Sequence, residues 1–245
     1  MTRHLSAVFC LAVLCMGAHA AEPVKHPAPS VETYVSLAKL PDWSGSWALP
    51  DKAFTAAMGP GGLASGARYQ PEYLQGLGPR GKANAEMCLP TGMPGIMALP
   101  IGYEFLFTPG RVTIVVEEGP LVRRVFTDGR PHSEDPDITY AGESIGHWEG
   151  QVLVVDTVAI SPRAQFFMGP RTSGKTHVVE RISLQDRDHL RVETLVEDPE
   201  ALAAPWRYTL TYLRSNVPFT ESYNCDNDRD SKGEPDLSPP VLPPR

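Results

Sequence analysis

Between residues 118 and 180 this chain gathers three histidines, His132, His147 and His177, with the carboxylates Glu118, Asp156 and Glu180 and the guanidinium of Arg124. Imidazole exchanges protons near neutral pH, and a neighbouring carboxylate fixes its tautomer and raises its basicity. His147 or His132 is therefore a candidate general base and Asp156 or Glu180 its partner. Arg124 or Tyr140 would stabilise a developing oxyanion. His147 stands in Ser144-Ile-Gly-His-Trp-Glu-Gly150, two strand positions before a tight glycine turn, and is the best placed of the three. Plainer uses compete: a histidine that caps a turn or supports Trp148, and loop carboxylates at Thr127-Asp-Gly-Arg130 and Asp135-Pro-Asp137 that order their own backbone.

Three histidines also raise the question of zinc or iron. The chain has no H-x-H, H-E-x-x-H or paired CxxC, and His177-Val-Val-Glu180 would ligate from one face on a helix but not on a strand. No metal is assigned. Calcium loops of EF type, G-x-S-x-G, phosphate-cradling glycine loops and dinucleotide fingerprints are missing too. This disfavours serine hydrolases, kinases and nicotinamide-dependent dehydrogenases, and no cofactor is expected.

The elements that must position these groups have a period of two. Tyr103–Thr108, Arg111–Glu118, Leu121–Thr127, Ser144–Glu149, Val152–Ile160, Thr176–Leu184, Leu190–Glu197 and Trp206–Arg214 are short and rich in β-branched and aromatic residues. Pro109-Gly110, Gly119-Pro120, Gly150-Gln151 and Asp186-Arg187-Asp188 break them. Connections this short impose antiparallel pairing. With a strand at Trp47, the expected fold is all-β: an antiparallel up-and-down meander closed into a barrel of about 8–10 strands, which removes its own edges. A two-sheet sandwich is the alternative.

Alternation predicts four inner faces: Val112, Ile114, Val116, Glu118; Val122, Arg124, Phe126, Asp128; Val152, Val154, Asp156, Val158; and Val178, Glu180, Ile182, Leu184. Each carries an ionisable group. Because an unpaired buried charge costs several kcal/mol, Arg124 is expected among the carboxylates. The groups either face a ligand inside the barrel or sit at its rims, where strand ends meet water.

The ends read differently. Arg3, the apolar Leu5–Met16 and Ala18-His19-Ala20 have the form of a signal peptide, residues 1–20, cleaved after Ala20. Periplasmic or secreted localisation follows. Its removal leaves 21 basic and 29 acidic residues, a net charge near −8. Such a chain repels phosphate backbones and anionic membranes, so nucleic acid is a poor partner and no stable membrane insertion is expected. Cys88 and Cys225 remain, and in an oxidising compartment they read as one disulfide, with a reactive thiol or metal ligand as the alternative. Residues 21–41 read as a linker with one helical turn around Val31–Leu40, and residues 42–225 as a single domain. Residues 226–245 read as a disordered proline-rich tail, or as a proline-rich docking motif. From Ala48 to Leu99 runs a long irregular excursion with one plausible helix, Lys82–Leu89, of the kind that forms lids or ligand walls.

Two resemblances add to this. Gly45-Ser-Trp47 resembles the G-x-W that opens lipocalin and related calycin barrels, where an arginine of the last strand packs over the tryptophan; Arg214, then Arg207, would match it. Arg111-Val-Thr-Ile114, Thr127-Asp-Gly-Arg130 with His132, and Ser144–Gly150 with Leu153-Val-Val-Asp-Thr157 are similar to an uncharacterised family of exported bacterial proteins, over about Trp43 to Cys225. That likeness implies no reaction.

Two functions fit. One is a barrel that binds a small, largely apolar molecule between walls such as Phe126, Trp148 and Trp206, with Tyr140 and His177 beside it and Arg124 meeting a carboxylate or phenolate. The other is a cofactor-independent lyase, isomerase or hydratase in the same pocket. A surface interaction protein is a third. Oligomeric state is not legible.

Overall fold

In the computed structural model, residues 33–50, 52, 55–56, 66–74, 89–117, 121–166 and 170–216 are described. The signal-like segment, the helix expected over Lys82–Leu89 except for its last residue, Cys88 and Cys225, Glu118 and the tail lie outside them.

The period-two runs form nine strands: β1 Gly45–Ala48, β2 Gly102–Thr108, β3 Arg111–Val116, β4 Val122–Phe126, β5 Glu143–Glu149, β6 Val152–Val158, β7 His177–Asp186, β8 His189–Glu197 and β9 Trp206–Arg214. They pair in chain order and close into one barrel, β9 returning to β1 through Trp47↔Arg214 and Ala48↔Leu213. The barrel replaces the sandwich alternative.

One pairing corrects the expected meander. β4 and β5 run parallel, with Val125 opposite Ser144 and Phe126 opposite Ile145. An odd number of strands cannot alternate direction all the way round a closed ring, so one parallel step is unavoidable. It falls where the connection, residues 127–142, has the dozen or more residues that a parallel crossover needs.

Two of the four inner faces are as expected and two are inverted. Val112, Ile114 and Val116, and Val178, Glu180 and Ile182, are buried. On β4 the inward residues are Arg123 and Val125, and on β6 they are Leu153, Val155 and Thr157, so Arg124 and Asp156 point outward. A one-residue slip of phase moves every side chain to the other face. On β6 the cause is visible: Val152-Leu-Val-Val is apolar on both faces, and outward Val154 is itself only 8% exposed. On β4 each face offers an arginine and an apolar residue, so alternation alone is blind to the choice.

At the end with the tight turns the interior is aromatic. Trp43 meets Phe105 and Phe107 edge-on, with ring centroids at 5.2 and 4.7 Å, and tilts against Trp148 at 5.9 Å. Elsewhere part of the long excursion turns back into the fold. Gly95–Ala98 form a fully buried 3-10 turn, whose Ile96 and Leu99 carbonyls lie 2.8 and 2.9 Å from the inward Tyr103 hydroxyl, while Tyr212 donates to the carbonyl of Met97. Two inner-face tyrosines thus hold the excursion against the barrel.

Arg214 closes the β9–β1 seam. Its guanidinium lies 4.3 Å from the Trp47 ring centroid and donates to the carbonyls of Arg187 at 2.8 Å and Ser44 at 3.0 Å. This is the contact expected from G-x-W. Arg214→Ala should cost about 2–3 kcal/mol in urea unfolding, from the lost cation–π contact and the charge-assisted bonds, and Arg214→Lys should recover less than half because an ammonium cannot stack flat. A loss under about 0.5 kcal/mol would mean the seam holds without it.

Candidate functional site

Strand register carries a row of polar side chains across the barrel interior. Ser144 on β5 faces Thr157 on β6, Glu180 on β7 faces Thr194 on β8, and Thr194 faces Tyr208 on β9. Arg123 reaches in from β4 and joins the first part of the row. Its Nε donates to Ser144 Oγ at 3.1 Å, and its Nη2 donates to Thr157 Oγ1 at 2.9 Å and to the Glu180 carboxylate. The two hydroxyls also bond each other at 2.9 Å. Arg123 and Glu180 are each 1% exposed.

The pair is not saturated. Arg123 Nη1 and Glu180 Oε1 are buried and have no hydrogen-bond partner among the described residues. A buried donor or acceptor left unmade costs about 1–3 kcal/mol, more when charged, so these two atoms stand out in an otherwise matched network. Tyr208 stands beside them. Burial first, and then the nearby Glu180 charge, push its hydroxyl well above the ordinary phenol range, so it stays neutral. Tyr208 points inward and keeps some accessible surface.

A second constellation lies on the outer face. Asp156 leaves β6 between His132 of the 127–142 connection and His177 of β7. His132 Nε2 is 3.1 Å from Asp156 Oδ1, and His177 Nε2 is 3.0 Å from both carboxylate oxygens. On their far sides His132 Nδ1 meets Glu143 at 2.8 Å and His177 Nδ1 meets Glu197 at 3.2 Å. Two imidazoles thus share one carboxylate, and each is held from behind by another. Among the described residues no group of three or more His, Cys, Asp or Glu side chains is arranged to hold a metal ion.

Burial pulls the His177 pKa down, but the hydrogen bonds and charges of Asp156 and Glu197 outweigh it and hold the ring above its ordinary value of 6.5. A folded pKa above the unfolded one gives stability that is full below the unfolded value and is lost as pH rises through the folded one. The gap in urea midpoint between wild type and His177→Gln should therefore be wider at about pH 5.5 than at about pH 8.5. A gap that is equal at both would remove the electrostatic role. The ring is 35% exposed, so the effect is small.

The remaining candidates scatter. His147 is 66% exposed and, among the described residues, bonds only Glu149, at 3.3 Å, two positions along its own outward face. Arg124 points to solvent, so neither it nor His147 reaches the interior. Phe126 also faces outward, beneath Arg130 at 4.1 Å, in a surface cleft of about 360 Å³ with Asp128 and Arg111. Trp148 and Trp206 point inward, Trp206 only 2% exposed and Trp148 within the aromatic end. Tyr140 packs on the core from the connection, its hydroxyl buried without a partner among the described residues. Of the expected acid–base set, Glu180 alone belongs to the interior; His132, Asp156 and His177 converge outside, and the expected pocket that joins them to Arg and Glu divides in two. The residues that sequence reasoning misses are Arg123, Ser144, Thr157, Thr194 and Tyr208. Serine and threonine between strand apolar residues carry no signal of their own, and Arg123 is hidden by the neighbouring Arg124.

No protein-family model matches the chain, and no curated protein matches it.

Proposed function

We propose that this protein is a binding barrel that takes a small, largely apolar molecule into its interior, the polar end of the guest meeting Arg123 and Glu180. The observation that supports it is the unsaturated pair: a buried cation and a buried anion, each with one unmet hydrogen-bonding atom, beside an inward tyrosine that keeps accessible surface. A pair kept only for stability gains nothing from unmet atoms, since matched apolar residues there are often as good or better. Val155, Val178 and Leu210 supply apolar wall on the same strands. Export through residues 1–20, with a Cys88–Cys225 disulfide, belongs to this reading and puts the guest outside the cytoplasm.

The test is saturable binding of a neutral apolar fluorophore, N-phenyl-1-naphthylamine, to the full chain. One site per chain is expected in the wild type and weak or no binding in Val155→Phe, which fills the interior beside Glu180, with circular dichroism showing that the variant is folded. Binding that is absent, or equal in the two proteins, removes the reading.

The sharing of Asp156 by His132 and His177 favours one second reading, cofactor-independent lyase, isomerase or hydratase chemistry. It would take place on the outer face, with His132 as base.

A further inference from the structure

The unmet atoms also restrict what the guest can be, an inference that rests on the binding reading. We infer that its polar head is uncharged and offers both an acceptor and an N–H or O–H donor, as a primary amide, a lactam or a protonated acid does, and is not a carboxylate or a phenolate.

Arg123 has five N–H donors: Nε uses one on Ser144, Nη2 uses two on Thr157 and Glu180, and the Nη1 pair is unused. Glu180 has spent Oε2 on the guanidinium and retains Oε1, which can only accept. A guest that satisfies both must therefore accept from Nη1 and donate to Oε1. The charge count leads to the same chemistry. Arg123 is already neutralised by Glu180 in an ion pair that is 1% exposed on both sides. The other polar groups of the row, Ser144, Thr157, Thr194 and Tyr208, are hydroxyls, so an anionic head would bury a net negative charge with no cation left to match it. It would also turn lone pairs toward Oε1. The carboxylate or phenolate expected from the sequence relies on an arginine free to receive it, and the inward arginine is not free.

Octanamide and octanoate form a matched pair of probes, alike in chain and different in head charge. Binding to the full chain is read by tryptophan fluorescence, Trp206 being on the same strand as Tyr208, and by the rise in Tm. The wild type is expected to bind octanamide at least about tenfold more tightly than octanoate at about pH 7.5, a margin well inside the cost of burying an unmatched charge. Glu180→Gln keeps the shape and removes the anion, so the preference should move toward octanoate by a further tenfold or so. Should Glu180→Gln not fold, the wild-type ratio decides alone. Equal affinities, or tighter octanoate, would overturn the uncharged head while leaving the binding barrel intact. If neither probe changes fluorescence or Tm, the binding reading falls and this inference falls with it.

Discussion

Arg123→Met alone should lower the unfolding free energy by about 3–5 kcal/mol, Glu180→Leu alone by a similar amount, and the double variant by much less than either. Removing one partner leaves the other charge buried, at 1% exposure, with no opposite charge to compensate it. Removing both exchanges two costly desolvations for ordinary packing among Ile114, Val125, Val155 and Val178, which are all buried. Ser144 and Thr157 would still bond each other at 2.9 Å and so are not orphaned in the double variant. Guanidinium denaturation of all four proteins closes the cycle, and the coupling should exceed about 2 kcal/mol. Domains of this size have only some 5–15 kcal/mol in total, so each single variant removes a large share. Additive losses would show that the two residues do not act as a pair. A pair that can be replaced at little cost in stability, yet carries unmet polar atoms in the wild type, behaves as a binding feature rather than as a fold determinant.

The barrel is legible because its signals are redundant. Pro109-Gly110, Gly150 and Asp186-Arg187-Asp188 each mark a reversal, and the runs between them alternate, so strand number and most pairings follow from local chemistry. The parallel step is not, because the 127–142 connection is full of turn residues and its length alone carries the information. The site is half legible. His132 with Asp156 is a contact of 3.1 Å, and Glu180 faces inward as its strand pattern requires. The inward placing of Arg124 in place of Arg123, and of Asp156, goes wrong because a stretch that is apolar or charged on both faces has no readable phase. Burial of Arg123 is decided by Ser144, Thr157 and Glu180, which come from three other strands, and no local pattern holds that information. His147, the best placed by sequence, fails for a related reason: register sets it opposite Val154, two positions from Asp156, with Glu149 nearer.

Asp198→Ala should be the other large loss, about 3–5 kcal/mol, because one carboxylate organises the approach to β7 and the exit from β8 together. Asp198 is 2% exposed and accepts from Ser173 N at 2.9 Å, Ser173 Oγ at 2.6 Å, Thr176 Oγ1 at 2.6 Å, Glu200 N at 3.2 Å and Ala201 N at 2.9 Å. Deleting it strands several donors at once, some of them on the backbone, where no side-chain rotation can relieve them. Asp198→Asn keeps one acceptor oxygen and turns an NH₂ toward groups that themselves donate, so it should cost at least half as much despite its near-identical shape. The pH dependence separates charge from shape. Burial alone would raise this carboxyl, but the hydrogen bonds from Ser173 and Thr176 outweigh burial and hold it below its ordinary 3.8. A depressed folded pKa contributes stability that is present above the unfolded value and lost as pH falls through the folded one. The gap in denaturation midpoint between wild type and Asp198→Asn should thus be full at about pH 7 and shrink below about pH 4, opposite in sense to the His177 gap, which shrinks as pH rises. A gap that stays constant from about pH 7 to about pH 3 would mean that Asp198 acts through its shape, and that the loops it joins do not depend on its charge.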